Sequence, residues 1–410
     1  MQNMEIPLDH IGAGVGGLYG GFQMGKDIGM EQVSLLRVTS YDHRLTSKIE
    51  ELLKPLGGLQ AFCKRGDKVL LKPNFISARP VESAATTHPA MILAVATLLK
   101  DLGCEVGVGD SPGLGSAAGV IRKLGLDDDL KRLQVRIVEL DALAPYDGSR
   151  SATFERRFKN LQLAGQLKEY DRLINLPKLK SHGQMGITLA TKNLFGCVSG
   201  HNKAQWHFEV GKDTREFARL LVEIAMTVNP VLHILDGITG MDGNGPSNGR
   251  VRPLNLLAAG ANPLAVDRVV VEIIGKKPEQ FPIFEAARSL HLSGTELEKI
   301  EVLGDRVADC RIEDFQIPAF RSASVLGNRV FSDFIGRMLR QRLVLNPKLC
   351  TNCRRCESVC PARAIGNPDK IEIDEEKCIR CCCCQEMCPY GALSIHTPVL
   401  AKVFQKIGWM

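Results

Sequence analysis

Ten of the fourteen cysteines in this 410-residue chain fall between Cys350 and Cys388, and that crowding constrains what the chain can fold into more than any other feature. They form two copies of one pattern. Cys350-x-x-Cys353-x-x-Cys356-x-x-x-Cys360-Pro361 is followed by Cys378-x-x-Cys381-x-x-Cys384-x-x-x-Cys388-Pro389. Zinc sites are usually built from pairs of Cys-x-x-Cys knuckles. Three close cysteines followed by Cys-Pro suit an iron–sulfur cubane instead. Three thiolates in one tight loop cap three irons, and the fourth, before proline, reaches the neighbouring cluster. The spacing therefore predicts two [4Fe–4S] clusters with crossed ligands. Cys350, Cys353, Cys356 and Cys388 hold the first; Cys378, Cys381, Cys384 and Cys360 hold the second. Cys382 and Cys383 read as extra residues beside the second cluster. The remaining cysteines, Cys63, Cys104, Cys197 and Cys310, are scattered. This is metal-site usage in a reducing compartment, not a disulfide framework.

Ala364-Ile365 and Ala392-Leu393 follow the two Cys-Pro units at matching positions, which gives each half the same apolar packing. The stretch from Leu345 to Ile395 resembles the bacterial two-cluster ferredoxin domain. That resemblance implies one-electron traffic, and hence either a redox partner protein or a ligand elsewhere in the chain.

Upstream, strand and helix patterns alternate. Val33 to Val38, Lys68 to Lys72, Glu105 to Gly109, Val135 to Val138, Arg172 to Asn175, Val231 to Leu235 and Leu254 to Ala259 read as strands. Ser47 with Glu50 suggests a capping box for a helix running towards Leu56 and stopped by Gly57-Gly58. Thr87-His88-Pro89 opens another helix, with Gly103 as its stop. Phe217 to Thr227 and Pro263 to Ile274 read as further helices. Strand, helix, strand at this spacing implies right-handed βαβ units and a parallel sheet. The expected fold class is α/β: a large parallel-sheet domain over residues 33–305, in one or two lobes, plus a small α+β iron–sulfur domain over 345–396. Residues 306–344 read as a connector with a basic amphipathic helix at 330–339, suited to packing on the small domain or docking on a partner or membrane surface. Residues 397–410 read as an amphipathic tail. Residues 1–32 form a glycine-rich leader. Its Gly12-Ala-Gly-Val-Gly-Gly17 lacks a convincing preceding strand, and its Gly20-to-Lys26 stretch lacks the Ser or Thr that a phosphate loop needs after its lysine.

In parallel α/β sheets ligands bind beyond the carboxyl ends of strands, and polar residues gather there. Lys72-Pro73-Asn74 ends one strand, Asp110-Ser111 another, Lys178-Leu-Lys180-Ser181-His182 follows a third, and Asp236-Gly237 ends a fourth. From Lys178 to Lys212 cations are dense, including Lys192, His201, Lys203 and His207, with glycines between them. Such a segment is either a solvated cationic surface or a site for a carboxylate, phosphate or nucleotide. The candidate catalytic residues are Lys180, His182, Asp110 and Asp236. The candidate ligand-binding or cofactor-binding residues are Lys72, Asn74, Lys178, Lys192 and Asn193.

Several stretches in order carry a family resemblance: Val69-Leu-Leu-Lys-Pro-Asn74, Thr86-Thr-His-Pro89, Gly109-Asp-Ser-Pro-Gly113, Asn175-Leu-Pro-Lys-Leu-Lys-Ser-His182, Thr188-Leu-Ala-Thr-Lys-Asn-Leu-Phe-Gly196, Asp236-Gly237, Gly243-Asn-Gly-Pro246 and Ala265-Val-Asp267. Residues 33 to 275 resemble the domain of unknown function 362 family, whose members often carry a C-terminal ferredoxin domain. The resemblance implies architecture; the family has no general assigned reaction. The leading expectation is an iron–sulfur oxidoreductase or electron-transfer protein that exchanges low-potential electrons with an anionic ligand or partner. A racemase, lyase or transferase with structural clusters is one alternative, and a non-enzymatic carrier or maturation factor the other. A net charge of +6 without a long basic run, and few aromatic residues, argue against nucleic acid as partner. The first ten residues lack a basic-then-apolar signal pattern, and no apolar run is long enough to span a bilayer, so a cytoplasmic protein is expected.

Overall fold

A computed structural model describes residues 30–145, 154–318, 342–367, 369–396 and 398. The glycine-rich leader, the amphipathic segment at 330–339 and the tail at 399–409 lie outside these residues, as does the side chain of His201.

Short apolar segments punctuated by glycine and polar turns build a ten-stranded central sheet. In chain order the strands are β1 (Glu31–Arg37), β2 (Lys68–Pro73), β3 (Glu105–Asp110) and β4 (Arg136–Glu139). A separate hairpin follows, β5 (Leu143–Pro145) with β6 (Gln162–Ala164). The sheet resumes with β7 (Arg172–Leu176), β8 (Lys178–His182), β9 (Gly186–Thr188), β10 (Leu232–Asp242), β11 (Arg250–Gly260) and β12 (Ile300–Gly304). The spatial order is β12-β1-β11-β10-β7-β2-β3-β4, with β8 beside the far half of β10 and β9 closing a hairpin on β8. Strands β10, β7, β2, β3 and β4 run parallel, as expected of βαβ units. The sheet is mixed, however: β11 is antiparallel to both β1 and β10, because a tight connection joins it to β10 with no crossover helix.

The expected strands and helices are present, with two differences near their ends. Helix Leu45–Leu53 begins at Leu45, and no Ser47–Glu50 capping box forms. Asp42 takes the Arg44 N–H at 2.9 Å, which starts the turn upstream of Ser47. Asp236 does not end its strand; β10 continues to Asp242 past a bulge between Gly237 and Thr239. Helix Pro89–Asp101 opens as predicted, with proline in its first turn and the His88 ring accepting the Ala90 N–H at 3.2 Å. Its Met91, Ile92, Val95, Ala96 and Leu99 recur at helical spacing and are buried against the sheet. Each large side chain so buried contributes about 1.5–3 kcal/mol.

Apolar cores cover both faces of the one continuous sheet. Val69, Leu71, Val106, Val108 and Ile174 pack on one side beneath helices Leu45–Leu53 and Pro89–Asp101. Val33, Leu35, Leu235 and Leu256 pack on the other beneath helix Pro263–Ile273. The chain keeps packing on this second face through Phe315.

The small C-terminal unit is α+β. β13 (Arg342–Leu345) pairs with β16 (Leu393–His396), and β14 (Ile365–Gly366) with β15 (Glu372–Ile373). Helices Arg355–Ser358 and Cys383–Met387 each follow a cysteine pair. The sequence duplication is repeated in the backbone. Asn352, Arg354 and Arg363 have positive φ, and so do Arg380, Cys382 and Gly391, each 28 positions later, the offset that separates Cys350 from Cys378.

Candidate functional site

Strands β3 and β7 flank β2, and the chain leaves β2 in the direction of β3. The carboxyl end of β2 beside β7 is therefore the topological switch point, where a doubly wound sheet opens a crevice. In register there, Lys72 faces Asn175. The Lys72 ammonium lies 2.8 Å from Asp110 at the end of β3, and both are buried. Asp110 also accepts the Phe75 and Ser111 N–H groups at 2.8 Å each, so its carboxylate is well satisfied. Any side chain at Gly196 would collide with this pair. Lys203 donates to the Ser111 carbonyl nearby.

An amide chain links these strands. Asn74 donates to Asn193 (2.8 Å), Asn193 to Asn175 (2.7 Å), and Asn175 to the Ala190 carbonyl (2.9 Å). The short helix Ala190–Asn193, which carries Lys192 and Asn193, is held by Asp267, which accepts the Ala190 and Thr191 N–H groups at 2.7 and 3.1 Å. Burial raises Asp267 to about 7 against those bonds.

Register explains the next pair. Asp236 on β10 stands opposite Lys178 on β8, and their charges meet at 2.8 Å with both side chains buried. The Tyr41 hydroxyl donates to Asp236 (2.6 Å), accepts from Lys178 (2.9 Å), and its ring stacks on His88 at 3.6 Å. Burial, and then the Asp236 charge, push the Tyr41 hydroxyl far above its ordinary value.

Lys180 alternates to the same face of β8 and is fully buried. Its ammonium donates to Asn74 Oδ1 (2.6 Å) and the Ala85 carbonyl (2.5 Å). Burial lowers it to about 7, although Glu386 pulls the other way. His182 closes the β8–β9 hairpin. Its Nδ1 accepts the Gln184 and Met185 N–H groups at 3.0 and 3.1 Å, which places the imidazole proton on Nε2. Nε2 stands 2.6 Å from Glu386 Oε1, a close approach but off the axis of the N–H. Burial, reinforced by Lys192, lowers His182 to about 4, so the ring is neutral at pH 7.

Glu386 comes from the small C-terminal domain, between Cys384 and Cys388. Burial works to raise it, but His182, Lys192 and His207 outweigh burial and hold it at about 2. Burial lowers Lys192, against the pull of Glu386, Cys383 and Cys382. The helix Cys383–Met387 is gripped on several sides. Arg79 donates to the Cys388 carbonyl at 2.7 Å and the Pro389 carbonyl at 3.2 Å. Asn248 donates to the Gln385 and Cys388 carbonyls at 3.2 and 3.1 Å. The buried Gln385 amide donates to the Asn244 and Gly245 carbonyls at 3.0 and 3.1 Å. Gly183 touches the same helix start: a Cβ there would stand 3.2 Å from Cys382 Sγ.

The predicted residues therefore separate into parts. Lys72 with Asp110, and Lys178 with Asp236, are buried ion pairs. Asn74 and Asn193 are bonded to each other. His182 meets Glu386, and Lys180 and Lys192 lie within its electrostatic reach. The cationic segment is no solvated surface where it matters, since Lys178 and Lys180 are 2% and 0% exposed. Sequence reasoning did not find Glu386, Tyr41 or Arg79, and met Asn175 and Asp267 only within the family stretches, without a site role. For Glu386 a signal existed, a carboxylate set among cluster-loop cysteines; for Tyr41 and Arg79 there was none.

The cysteines fit an iron–sulfur group. Cys350, Cys353, Cys356 and Cys388 line one pocket together with Leu345, Ile371, Ala392 and Leu393. Cys378 and Cys384 lie within electrostatic reach of both Cys381 and Cys360. The Ala364 and Ala392 N–H groups donate to the sulfurs of Cys360 and Cys388 at 3.2 and 3.3 Å, at equivalent positions of the two halves. Among the described residues no three ligating side chains converge tightly enough for a single metal ion.

A family model described as a domain of unknown function, DUF362, matches residues 69–272, and a 4Fe-4S dicluster domain matches residues 342–389. The thylakoid-associated protein sll1697 of Synechocystis sp. is 42% identical over 270 residues, 66% of this chain and 82% of that protein. The chain belongs to the DUF362 family. Its C-terminal cysteines, within the dicluster match, are an iron–sulfur cluster-binding site. The DUF362 chain is also similar to the solved lactate racemase apoprotein from Thermoanaerobacterium thermosaccharolyticum (13% identity, TM-score 0.35, 57% of this chain and 54% of that one). A solved Thermotoga maritima protein gives 14% identity and a TM-score of 0.30, over 48% of this chain and 50% of that one. The DUF362 chain thus spans about half the length of both solved structures. Among its described residues no helix is long and apolar enough to cross a membrane.

Proposed function

We propose that this protein is an iron–sulfur electron-transfer protein or oxidoreductase that passes low-potential electrons between two [4Fe–4S] clusters and an anionic ligand or partner at the α/β domain. The first cluster would be held by Cys350, Cys353, Cys356 and Cys388, the second by Cys378, Cys381, Cys384 and Cys360. The matching positive-φ positions support this register and leave Cys382 and Cys383 equivalent to Arg354 and Arg355, outside both ligand sets. When bound, the clusters supply one-electron redox chemistry. The α/β unit at 33–305 and the ferredoxin unit at 345–396 would work as a pair.

One observation carries the reading: the loop that bears the second ligand set enters the α/β site. Cys382 packs on Gly183, and Glu386 sits among His182, Lys180 and Lys192. Lys180 and Lys192 would bind and orient an anionic ligand. Lys72 and Lys178, consumed by Asp110 and Asp236, would brace the strand ends instead. Asn74 and Asn193 would hold Lys180 in place. His182, neutral with its proton on Nε2, would offer that proton to a ligand at the Glu386 end. Buried donors fixed in advance lose little on reorganisation.

Anaerobic, iron-loaded protein tests this. About eight iron atoms per chain and two reducible signals by EPR are expected. Zinc as the only bound metal would defeat the proposal. A second reading, proton transfer by a non-redox enzyme, draws on Lys180 at about 7, close to the value suited to a base at neutral pH. Turnover that survives cluster oxidation and dies in Lys180→Met would favour it.

A further inference from the structure

The two ligand sets differ in their least buried members: Cys360 and Cys378 of the second are half-buried, whereas Cys353 of the first is exposed. Cys381, Cys382 and Cys384 are buried, and their helix is plugged into the α/β domain by Arg79, Asn248 and Gln385. The first set also buries Cys356 and Cys388, but its other two members reach the surface. Cys353 is exposed, Cys350 is partly so, and Thr351, Arg355 and Tyr390 line the mouth of their cavity. Tyr390 is 51% exposed and Leu349 is 47% exposed, two of the larger apolar surfaces among the described residues.

Charge is also divided. Residues 342–363 hold Arg342, Lys348, Arg354, Arg355 and Arg363 against one carboxylate, Glu357. Glu357 is taken by Arg354 at 2.9 Å, and Arg342 faces Glu375 at 3.6 Å. Lys348, Arg355 and Arg363 remain exposed. Residues 369–386 hold six carboxylates against three cations, and one of the six, Glu386, is turned into the α/β site. An apolar centre in a cationic rim is the complement of an acidic protein surface.

Building on the electron-transfer reading, we propose that the rim around Cys350, Cys353 and Cys356, with Leu349 and Tyr390 at its centre and Lys348 and Arg355 at its edge, is the docking surface for an acidic one-electron carrier protein. The carrier is oxidised by one electron and the centre held by this cysteine set is reduced by one, with no bond made or broken and no proton required. The molecule is then polarised: electrons cross the exposed rim at one end, and the α/β site takes or gives them at the other.

The test titrates the iron-loaded, anaerobic full chain with a plant-type [2Fe–2S] ferredoxin, an acidic carrier, by calorimetry at low and high salt. The expected result is 1:1 binding that weakens steeply with salt, as screening of exposed charges requires. Lys348→Glu with Arg355→Glu should weaken it at least about tenfold, with iron content and melting temperature unchanged. Binding indifferent to salt and to both charge reversals would overturn the proposal. So would self-association abolished by Tyr390→Ser, which gives the surface to a second copy. Binding seen only after residues 399–410 are removed would give it to the chain's own tail. Clusters that dithionite reduces in a chain that never binds the carrier would refute the surface alone, whereas clusters that dithionite cannot reduce would refute the electron-transfer reading beneath it.

Discussion

At the scale of single residues, the site is a set of buried cations whose partners differ. Lys72 and Asp110 satisfy each other in a dry setting, so removing one leaves the other uncompensated. Lys72→Met should destabilise the α/β domain by about 3–5 kcal/mol in denaturant unfolding. Lys180 behaves differently because burial has already weakened its hold on a proton. Its value of about 7 lies below the ordinary 10.5, so between those limits the unfolded chain binds more protons than the folded one. Stability on this account rises as pH increases from about 7 towards 10 and is lowest where Lys180 must be charged. Lys180→Met should flatten that part of the stability–pH curve; an unchanged slope would place the titration elsewhere. The same physics explains why these lysines were only half legible in the sequence. Their positions at strand ends marked them as candidates. Which were spent in ion pairs depended on β2 running beside β3 and β8 beside β10, and strand pairings of that kind leave no local pattern.

Among elements, the helix Cys383–Met387 matters most. It is short, it begins at the left-handed Cys382, and it is tied to the α/β domain as well as packed on its own module. Gly183 lets the β8–β9 hairpin approach it. Gly183→Val should separate the two at this point and expose the helix to proteolysis near Cys388, while the melting of the central sheet stays within about 0.5–1 kcal/mol. Unaltered proteolysis would mean that the polar grip of Arg79, Asn248 and Gln385 suffices without the close approach. The cysteine duplication, by contrast, was legible in full. Its spacing is local, and the backbone repeats it at the same offset of 28 residues. The capping box expected at Ser47 failed for an equally local reason, because Asp42 competes for the first turn.

For the whole molecule, alternating apolar segments with helix caps foretold an α/β sheet with a ferredoxin-like appendage. The pattern could not foretell that β11 runs antiparallel, since a buried apolar strand reads the same in either direction. Nor could it foretell that the appendage would supply a side chain to the α/β site. Glu386 and Arg79 lie 307 residues apart in sequence, and their meeting follows from domain docking alone. That docking sets the loop after Cys381 beside Lys192 and His182, while Cys353 stays exposed beneath a basic stretch. The most direct test is a potentiometric EPR titration of iron-loaded protein beside its Lys192→Gln variant. With a positive charge removed next to Cys382 and Cys383, one of two reduction waves should move to lower potential while the other stays in place. Two waves that move together, or neither moving, would contradict it.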